Sequence, residues 1–282
     1  MQKTEGAADR ACDLYRESEY EIKVSKFLTP QERMIVRDTL CATVGKGAER
    51  CFFWGGCRGT ERCAAVFLPE WLFDSADLHT KGAGMSGADR EALFASFLTG
   101  EEGVSVREES PISAIRITGS GFRTLTHRDF MGSVLALGIE RNMIGDILVL
   151  SESEALVFVI DSIAPFILAE LKKIGRDGVK CQKADISPEY EAERAFENVT
   201  VTVSSMRLDG IVNQLTGEGR ASSAEYIVKG LVDHNYFTAS NVSAEVKPGD
   251  IISVRGFGKF VIGEPDGTTR SGRLRLPCKK YI

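Results

Sequence analysis

The side chains that could do chemistry in this chain crowd toward its C-terminus, and most are cationic. Arg207 and Arg220 each open a helix candidate. There a guanidinium and the free N–H groups of a first helical turn can face the same phosphates, and arginine grips phosphate in bidentate fashion. Behind them come Arg255-Gly-Phe-Gly-Lys259 and Thr269-Arg270-Ser-Gly-Arg273-Leu-Arg275. Arg273 and Arg275 alternate on one face of a predicted strand. The glycines around Phe257 let backbone approach a ligand closely. The competing reading of each arginine is a surface salt bridge, for example Arg220 with Glu218 or Glu225. Singly that reading competes well; two helix-opening arginines together favour RNA.

Other constellations carry less. Gly82-Ala-Gly84-Met-Ser-Gly87 fits GxGxxG but follows no strand pattern, so it reads as a loop and not as a dinucleotide site. His127-Arg128-Asp129 is similar to a kinase catalytic loop, but Val134 stands where that loop needs Asn. No Walker A, GxSxG or HExxH motif occurs. The seven cysteines (12, 41, 51, 57, 63, 181 and 278) form no CxxC pair. Cys51, Cys57 and Cys63 are evenly spaced and read as small buried hydrophobes in or beside short strands. Three scattered histidines, at 79, 127 and 234, suggest no triad. The expectation is no catalytic residue, no metal and no cofactor.

At 282 residues, 43% hydrophobic and 27% charged, the chain has the profile of a globular protein of two or three domains. Its longest apolar region, 155–171, contains Asp161, Pro165 and Glu170, so no membrane span is expected. The polar N-terminus lacks a secretory pattern, which makes the cytoplasm the expected compartment. Charge is uneven. Residues 200–282 hold eleven Lys/Arg against eight Asp/Glu, whereas residues 1–199 hold 24 against 32. A basic module on an acidic body points to a polyanion partner for that end. The acidic body is expected to contact such a partner little and mainly to position the basic module.

The elements that must hold these residues follow from local patterns. Thr29-Pro30-Gln31-Glu32 is a helix start, with Met34, Ile35 and Leu40 on the apolar face. Residues 51–54 and 63–68 read as a hairpin around a glycine-rich connection. Residues 74–110 read as a polar, glycine-rich insertion with one helix near 89–98. Then come a strand at 112–117, a capping box at Thr126–Asp129 with a helix to Gly138, strands at 146–150 and 155–160, a helix from Ile163 to Gly175, and a strand at 179–183. That order, βαββαβ, is the ferredoxin-like arrangement. It has a single aromatic, Phe158, on its central strands, so an RNA-stacking platform there is weakly supported. Pro188–Asn198 reads as a charged linker helix. Two short helices, 207–215 and 222–230, are expected to pack through Leu208, Ile211, Val212, Leu215, Ile227 and Val228, with a β-turn-β element after them.

The last part of the chain, Arg207-Leu-Asp209, Gly219-Arg-Ala-Ser-Ser, Ile227-Val-Lys229-Gly230, Val232-Asp-His-Asn235 and Gly249-Asp-Ile-Ile-Ser-Val254, resembles the S4 RNA-binding domain. It departs from that pattern at Gly219, where Ser is usual, at His234, where an apolar residue is usual, and in a second helix poor in Lys/Arg. The segment Thr126-His-Arg-Asp-Phe-Met-Gly-Ser-Val-Leu-Ala-Leu-Gly-Ile-Glu-Arg-Asn-Met-Ile-Gly-Asp-Ile resembles the core signature of the YlmH family. Phe27-Leu-Thr-Pro-Gln-Glu, the Phe53–Arg62 hairpin and the Thr269–Arg275 tail fit the same family.

The resemblance implies an α+β protein: an N-terminal α/β region over 1–110, a ferredoxin-like domain over 111–186, a linker helix over 187–203 and an S4 domain of the αL type over 204–282. It implies a bacterial, cytoplasmic, monomeric and non-enzymatic factor. Its partners would be RNA, namely rRNA of the large ribosomal subunit and tRNA, during rescue of stalled, split ribosomes. There it would hold peptidyl-tRNA while tails are added to the stalled chain. The RNA-binding set would be Arg207, Asp209, Arg220, Ser222, Lys229, Arg255, Lys259 and Arg273. Two other classes compete. An RNA-modifying enzyme, such as a pseudouridine synthase or a methyltransferase accessory, would need a catalytic Asp motif of the GRLD kind or a methyl-donor pocket. A protein–protein adaptor would use the ferredoxin-like domain.

Overall fold

The computed structural model describes residues 2–82, 85, 87–101, 103, 106, 112–192 and 196–281. They form two compact units, Met1–Glu193 and Arg194–Ile282.

The first unit opens with α1 (Gln2–Glu17) and α2 (Pro30–Val44). The start of α2 is the expected reciprocal cap: the Glu32 N–H donates to Thr29 Oγ1 at 3.2 Å, and the Thr29 N–H donates to the Glu32 carboxylate at 2.7 Å. Strands β1 (Lys23–Val24), β2 (Cys51–Trp54) and β3 (Ala64–Phe67) form an antiparallel sheet in the order β1-β3-β2, with β2 and β3 as the expected hairpin. Cys51, Cys57 and Cys63 are buried, and burial pushes the Cys51 thiol up to about 12 and that of Cys63 to about 11. Thiolate, the form that binds metals or attacks, is therefore disfavoured at both.

The stretch expected to be an insertion takes part in the core. Helices α3 (Glu70–Ser75), α4 (Leu78–Gly82) and α5 (Gly87–Thr99) run through it. Leu78, Phe94, Ala95 and Leu98 pack with Phe52, Trp54 and Leu72. The Phe94 ring stacks on Phe52 at 4.6 Å. Apolar residues at helical spacing in 93–98 outweigh the polar composition around them. Gly82 and Gly87 bound neighbouring helices; positions 83, 84 and 86 of the glycine motif lie outside the described residues.

A second sheet follows in the same unit. It uses β4 (Ile112–Gly119), α6 (His127–Leu135), β5 (Ile144–Ser151), β6 (Glu154–Ile160), α7 (Ala164–Glu170), β7 (Lys173–Ile174) and β8 (Asp177–Ala184). The strands run antiparallel in the order β5-β6-β4-β8-β7. Thr126 caps α6 as expected, with its N–H donating to Asp129 at 2.8 Å and the Asp129 N–H returning to its hydroxyl at 3.4 Å. The helix expected to run to Gly175 stops at Glu170. Gly175, at φ 58°, turns Ile174 back onto Asp177 as a hairpin, which buries Ile174 against the helices.

Period-two alternation gives this sheet two buried faces. Ile115, Ile117, Ala155, Val157 and Val159 pack under Phe130, Val134 and Ile167 of the two helices. Ala114, Leu156, Phe158 and Ile160 point the other way, against Phe27, Cys57 and Ala192.

The second unit contains β9 (Phe196–Val203), α8 (Leu208–Thr216), α9 (Arg220–Val228), β10 (Val232–His234), β11 (Phe237–Thr238), β12 (Ile251–Val254), β13 (Gly258–Ile262) and β14 (Leu274–Tyr281). Its six-stranded sheet has the order β11-β10-β12-β13-β14-β9. The expected linker helix is a misreading. Residues 187–192 carry no helix, and 196–203 is a strand paired along its whole length with β14. Val199, Val201 and Val203 alternate with Asn198, Thr200 and Thr202, a β-branched period-two run that the charges before it obscured. Leu208, Ile211, Val212 and Ile227 are core residues as expected, whereas Val228 is 74% exposed, because α9 ends there and turns away. Arg273 precedes β14 rather than sharing it with Arg275.

Two substitutions test this packing. A Cβ on Gly145 would meet the Phe27 ring at 2.6 and 2.8 Å. Gly145→Ala is expected to lower stability by about 1–3 kcal/mol in urea unfolding, the usual cost of overpacking; an unchanged midpoint would show that the ring yields freely. Thr126→Ala removes the α6 cap and is expected to cost about 1 kcal/mol in the same measurement.

Candidate nucleic-acid interface

The predicted RNA-contact residues lie on three parts of the second unit. Arg207 is the N-cap residue of α8, and its guanidinium lies fork-to-fork on Asp209, with contacts of 3.1 and 3.0 Å. Asp209 also accepts the Gly210 N–H at 2.9 Å. Both side chains keep open surface, and an exposed ion pair of this kind holds together only weakly, so a phosphate can take the guanidinium over. Arg220 opens α9, and its side chain lies outside the described residues. Ser222 is half-buried; its neighbour Ser223 is the buried hydroxyl that returns to the Gly219 carbonyl at 3.1 Å.

Lys229 and Arg255 both lie near the exit of α9. Lys229 pairs with Glu225 at 2.6 Å. The Arg255 N–H donates to the Leu231 carbonyl at 2.9 Å, which fixes the β12–β13 turn beside that exit. The exposed Arg255 guanidinium has no ion-pair partner among the described residues.

The third group sits on the sheet. The Lys259 ammonium lies between two rings, 4.7 Å from Tyr236 and 4.6 Å from Tyr281, instead of standing clear for phosphate. Arg273 donates to the Thr202 carbonyl at 2.7 Å, and Arg275 faces Asp266 at 3.4 Å.

One polar cluster shapes the loops between them. Asp250 accepts from the Asn235 amide at 2.8 Å and the Lys247 N–H at 2.8 Å, and it sits 2.7 Å from His234 Nε2. Asn235 in turn accepts the Ile251 N–H at 2.9 Å. His234, where an apolar residue was expected, thus serves as a partner of this carboxylate. Burial opposes the Asp250 charge, but the hydrogen bonds from Asn235, Lys247 and His234 outweigh it and hold the carboxyl below its usual range.

The first unit carries a basic run that charge totals hid. Lys172, Lys173, Arg176, Lys180 and Lys183 are all exposed on β7, β8 and their flanks. Asp177, the carboxylate within that run, is buried and accepts the Ser120 N–H at 3.1 Å. Five cations in twelve residues were visible in the sequence but disappeared into the acidic sum over 1–199. Phe158 is 1% exposed, on a sheet face that Phe27 covers, so base stacking on this sheet is sterically closed. Nearby, Arg62 and Arg141 both donate to the Ile144 carbonyl. Burial, then the neighbouring Arg62 charge, pushes Arg141 down to about 10, and Asp146 opposes this.

Because the folded-state pKa of Asp250 is lowered, its contribution is present above the unfolded value near 3.9 and is lost as pH falls through the lower folded value. Asp250→Asn is expected to destabilise the chain at neutral pH by about 1–3 kcal/mol. The gap to wild type should begin to narrow below about pH 4, where the unfolded carboxyl takes up its proton, and should keep narrowing as pH falls toward the lower native value. Thermal unfolding of both proteins from pH 7 to pH 3 checks this; a gap that stays constant would exclude the charge as its source.

Comparison with known proteins places these features. Residues 108–188 match the domain family described as "Putative RNA-binding domain in YlmH". The chain is 26% identical over 265 residues to the ribosome-associated protein quality control protein P2 of Bacillus subtilis (strain 168), covering 94% of this chain and 89% of that one. It is also similar to the solved cell division protein ylmH from Streptococcus pneumoniae, at 22% identity and a TM-score of 0.41, covering 65% of this chain and 92% of that one. The resemblance to the YlmH family is thereby borne out: residues 108–188 match its domain model, and the likeness to a ribosome-associated protein runs along most of the chain.

Proposed function

We propose that this protein is a non-enzymatic RNA-binding factor that associates with ribosomes, engaging rRNA of the large subunit and tRNA during quality control of stalled translation. The observation that carries the reading is the similarity over 94% of the chain to a ribosome-associated quality control protein, joined to the family RNA-binding domain at 108–188. Geometry supports it at both ends. The central block, with chain order β4-α6-β5-β6-α7-β8 and strand order β5-β6-β4-β8, reads as ferredoxin-like. The helix pair α8–α9 followed by β10–β13 reads as the S4 module. The triplet Arg207-Leu208-Asp209 is preceded by Met206, where the GRLD motif of an RNA-modifying enzyme would carry Gly, and it opens a helix. Cytoplasmic location and a monomeric state belong to the same reading.

RNA contact on this reading is shared. Arg207 and Arg255 present cations from the second unit, where Arg220 stands at the start of α9, and the run from Lys172 to Lys183 presents them from the first. The acidic body therefore does more than position the basic module.

Co-sedimentation of the full chain with ribosomal subunits, with and without nuclease, tests the class. Pelleting with the large subunit that nuclease abolishes is the expected result. Failure to pellet at low salt, or pelleting that survives nuclease, would overturn it. A salt titration assigns the contacts. The Arg207→Ala/Arg220→Ala double variant is expected to reduce the slope of log affinity against log salt by up to about two units, one per phosphate released. The Lys172→Gln/Lys173→Gln/Arg176→Gln variant should also flatten the slope. An unchanged slope in either would remove that surface from the interface.

A further inference from the structure

The six-stranded sheet of the second unit has one face under α8 and α9 and one face turned away from them. Strand pairing places Lys259 opposite Ser253, Lys279 opposite Val261 and Asn198, and Tyr281 opposite Phe196, all on the outer face. Tyr236 reaches the same row from the β10–β11 turn. The result is a line of rings with cations set among them. Tyr236 lies 4.7 Å from Lys259 Nζ, which lies 4.6 Å from the Tyr281 ring. Tyr281 meets Phe196 edge-on at 4.9 Å, and Lys279 Nζ stands 5.8 Å from the Phe196 ring. Phe196, Lys279 and Arg275 are exposed.

Tyr236 is the informative member. Asn235 and Tyr236 have φ of 50° and 70°, the two left-handed residues of a tight hairpin turn. Glycine is the favoured residue at the second position, and a bulky side chain there is strained. Local backbone preference does not explain a tyrosine at that position; the reach of its ring onto the sheet does.

We propose that this outer face binds single-stranded RNA, with bases stacking on Tyr236, Tyr281 and Phe196 and the backbone tracked by Lys279 and Arg275. Rings interleaved with cations are the arrangement that holds unpaired bases without reading their sequence. The phosphate charge complements Lys279 and Arg275, the latter paired with Asp266 in the free protein. Duplex RNA keeps its bases stacked on each other and cannot use the rings. This inference rests on the RNA-binding reading above and names the form of RNA that one face takes.

The test uses the full-length protein, a short fluorescent oligouridylate, and an RNA duplex of equal length as control. Tyr236→Gly removes the ring while relieving the turn, so the fold is expected to hold or gain stability. Tyr281→Leu removes a second ring and keeps an apolar side chain. Each is expected to weaken single-strand binding roughly tenfold, leaving duplex affinity and the salt slope unchanged. Lys279→Gln should weaken both RNAs and lower the slope. Wild-type affinity for oligouridylate in both tyrosine variants would overturn the proposal and leave the face to a protein partner. Wild type that pellets with ribosomal subunits but binds no oligouridylate would overturn this inference alone. Failure of both assays would remove the RNA-binding reading beneath it.

Discussion

The second unit depends on the pairing of its first strand with its last. Phe196–Val203 and Leu274–Tyr281 match residue for residue along both strands. That ladder supplies β14 with partners for hydrogen-bonding groups that would otherwise form a long unpaired edge. It inserts Val201 and Val203 beneath α8, where they join Leu208, Ile211 and Leu276. It also ties the two ends of the unit together, so the helix pair and the β10–β13 strands fold within a closed loop. The same register sets Phe196 beside Tyr281 on the opposite face. One strand thus completes the core on one side and the aromatic row on the other.

How much of this could be read from the chain depends on how local each cause is. The caps at Thr29 and Thr126 each involve residues three apart, so sequence spacing alone revealed them. The central strands were equally readable, because alternation within each is enough to mark it. The reading failed where a distant partner decides. Residues 196–203 have strand periodicity, but Pro188, Glu189 and Glu191 just before them suggested a polar connector, and the partner lies more than seventy positions away. The N-terminal hydrophobic core recruits Phe94 and Leu98 from a stretch whose composition looked like a loop. The basic residues were read correctly by type and incompletely by environment. Arg207 meets Asp209 two positions on, a pairing that proximity could have revealed, whereas the rings around Lys259 come from a turn and a strand that only folding brings near.

Formal charge is therefore a poor guide to presented charge. The acidic first unit exposes five cations from Lys172 to Lys183, of which Lys183 pairs with Asp161, and the carboxylate among them is buried and hydrogen-bonded. The basic second unit neutralises several of its own cations, with Lys229 on Glu225, Arg275 near Asp266 and Arg207 on Asp209. These pairs are exposed and cost little to open. They keep the surface from repelling itself in the free protein, and on the proposed reading a phosphate competes for their cations.

The two sheets show why similar strands serve different ends. A sheet face cannot be both a core and a platform. In the first unit Gly145 lets Phe27 come within contact of β5, and Phe158 fills the space beside it, so the face is committed to packing. On the proposed reading, RNA contact by that unit is then left to edges and termini, where Lys172, Lys173 and Arg176 stand exposed. In the second unit the helices cover one face only, and the other carries threonines, cations and rings where a core would need aliphatic side chains. On the proposed reading, phosphate recognition and base stacking are therefore separated: cationic edges and helix starts hold the backbone, and the ringed face of the second sheet takes unpaired bases. The strain at Tyr236 fits this division, since a turn selected for stability alone would carry glycine there.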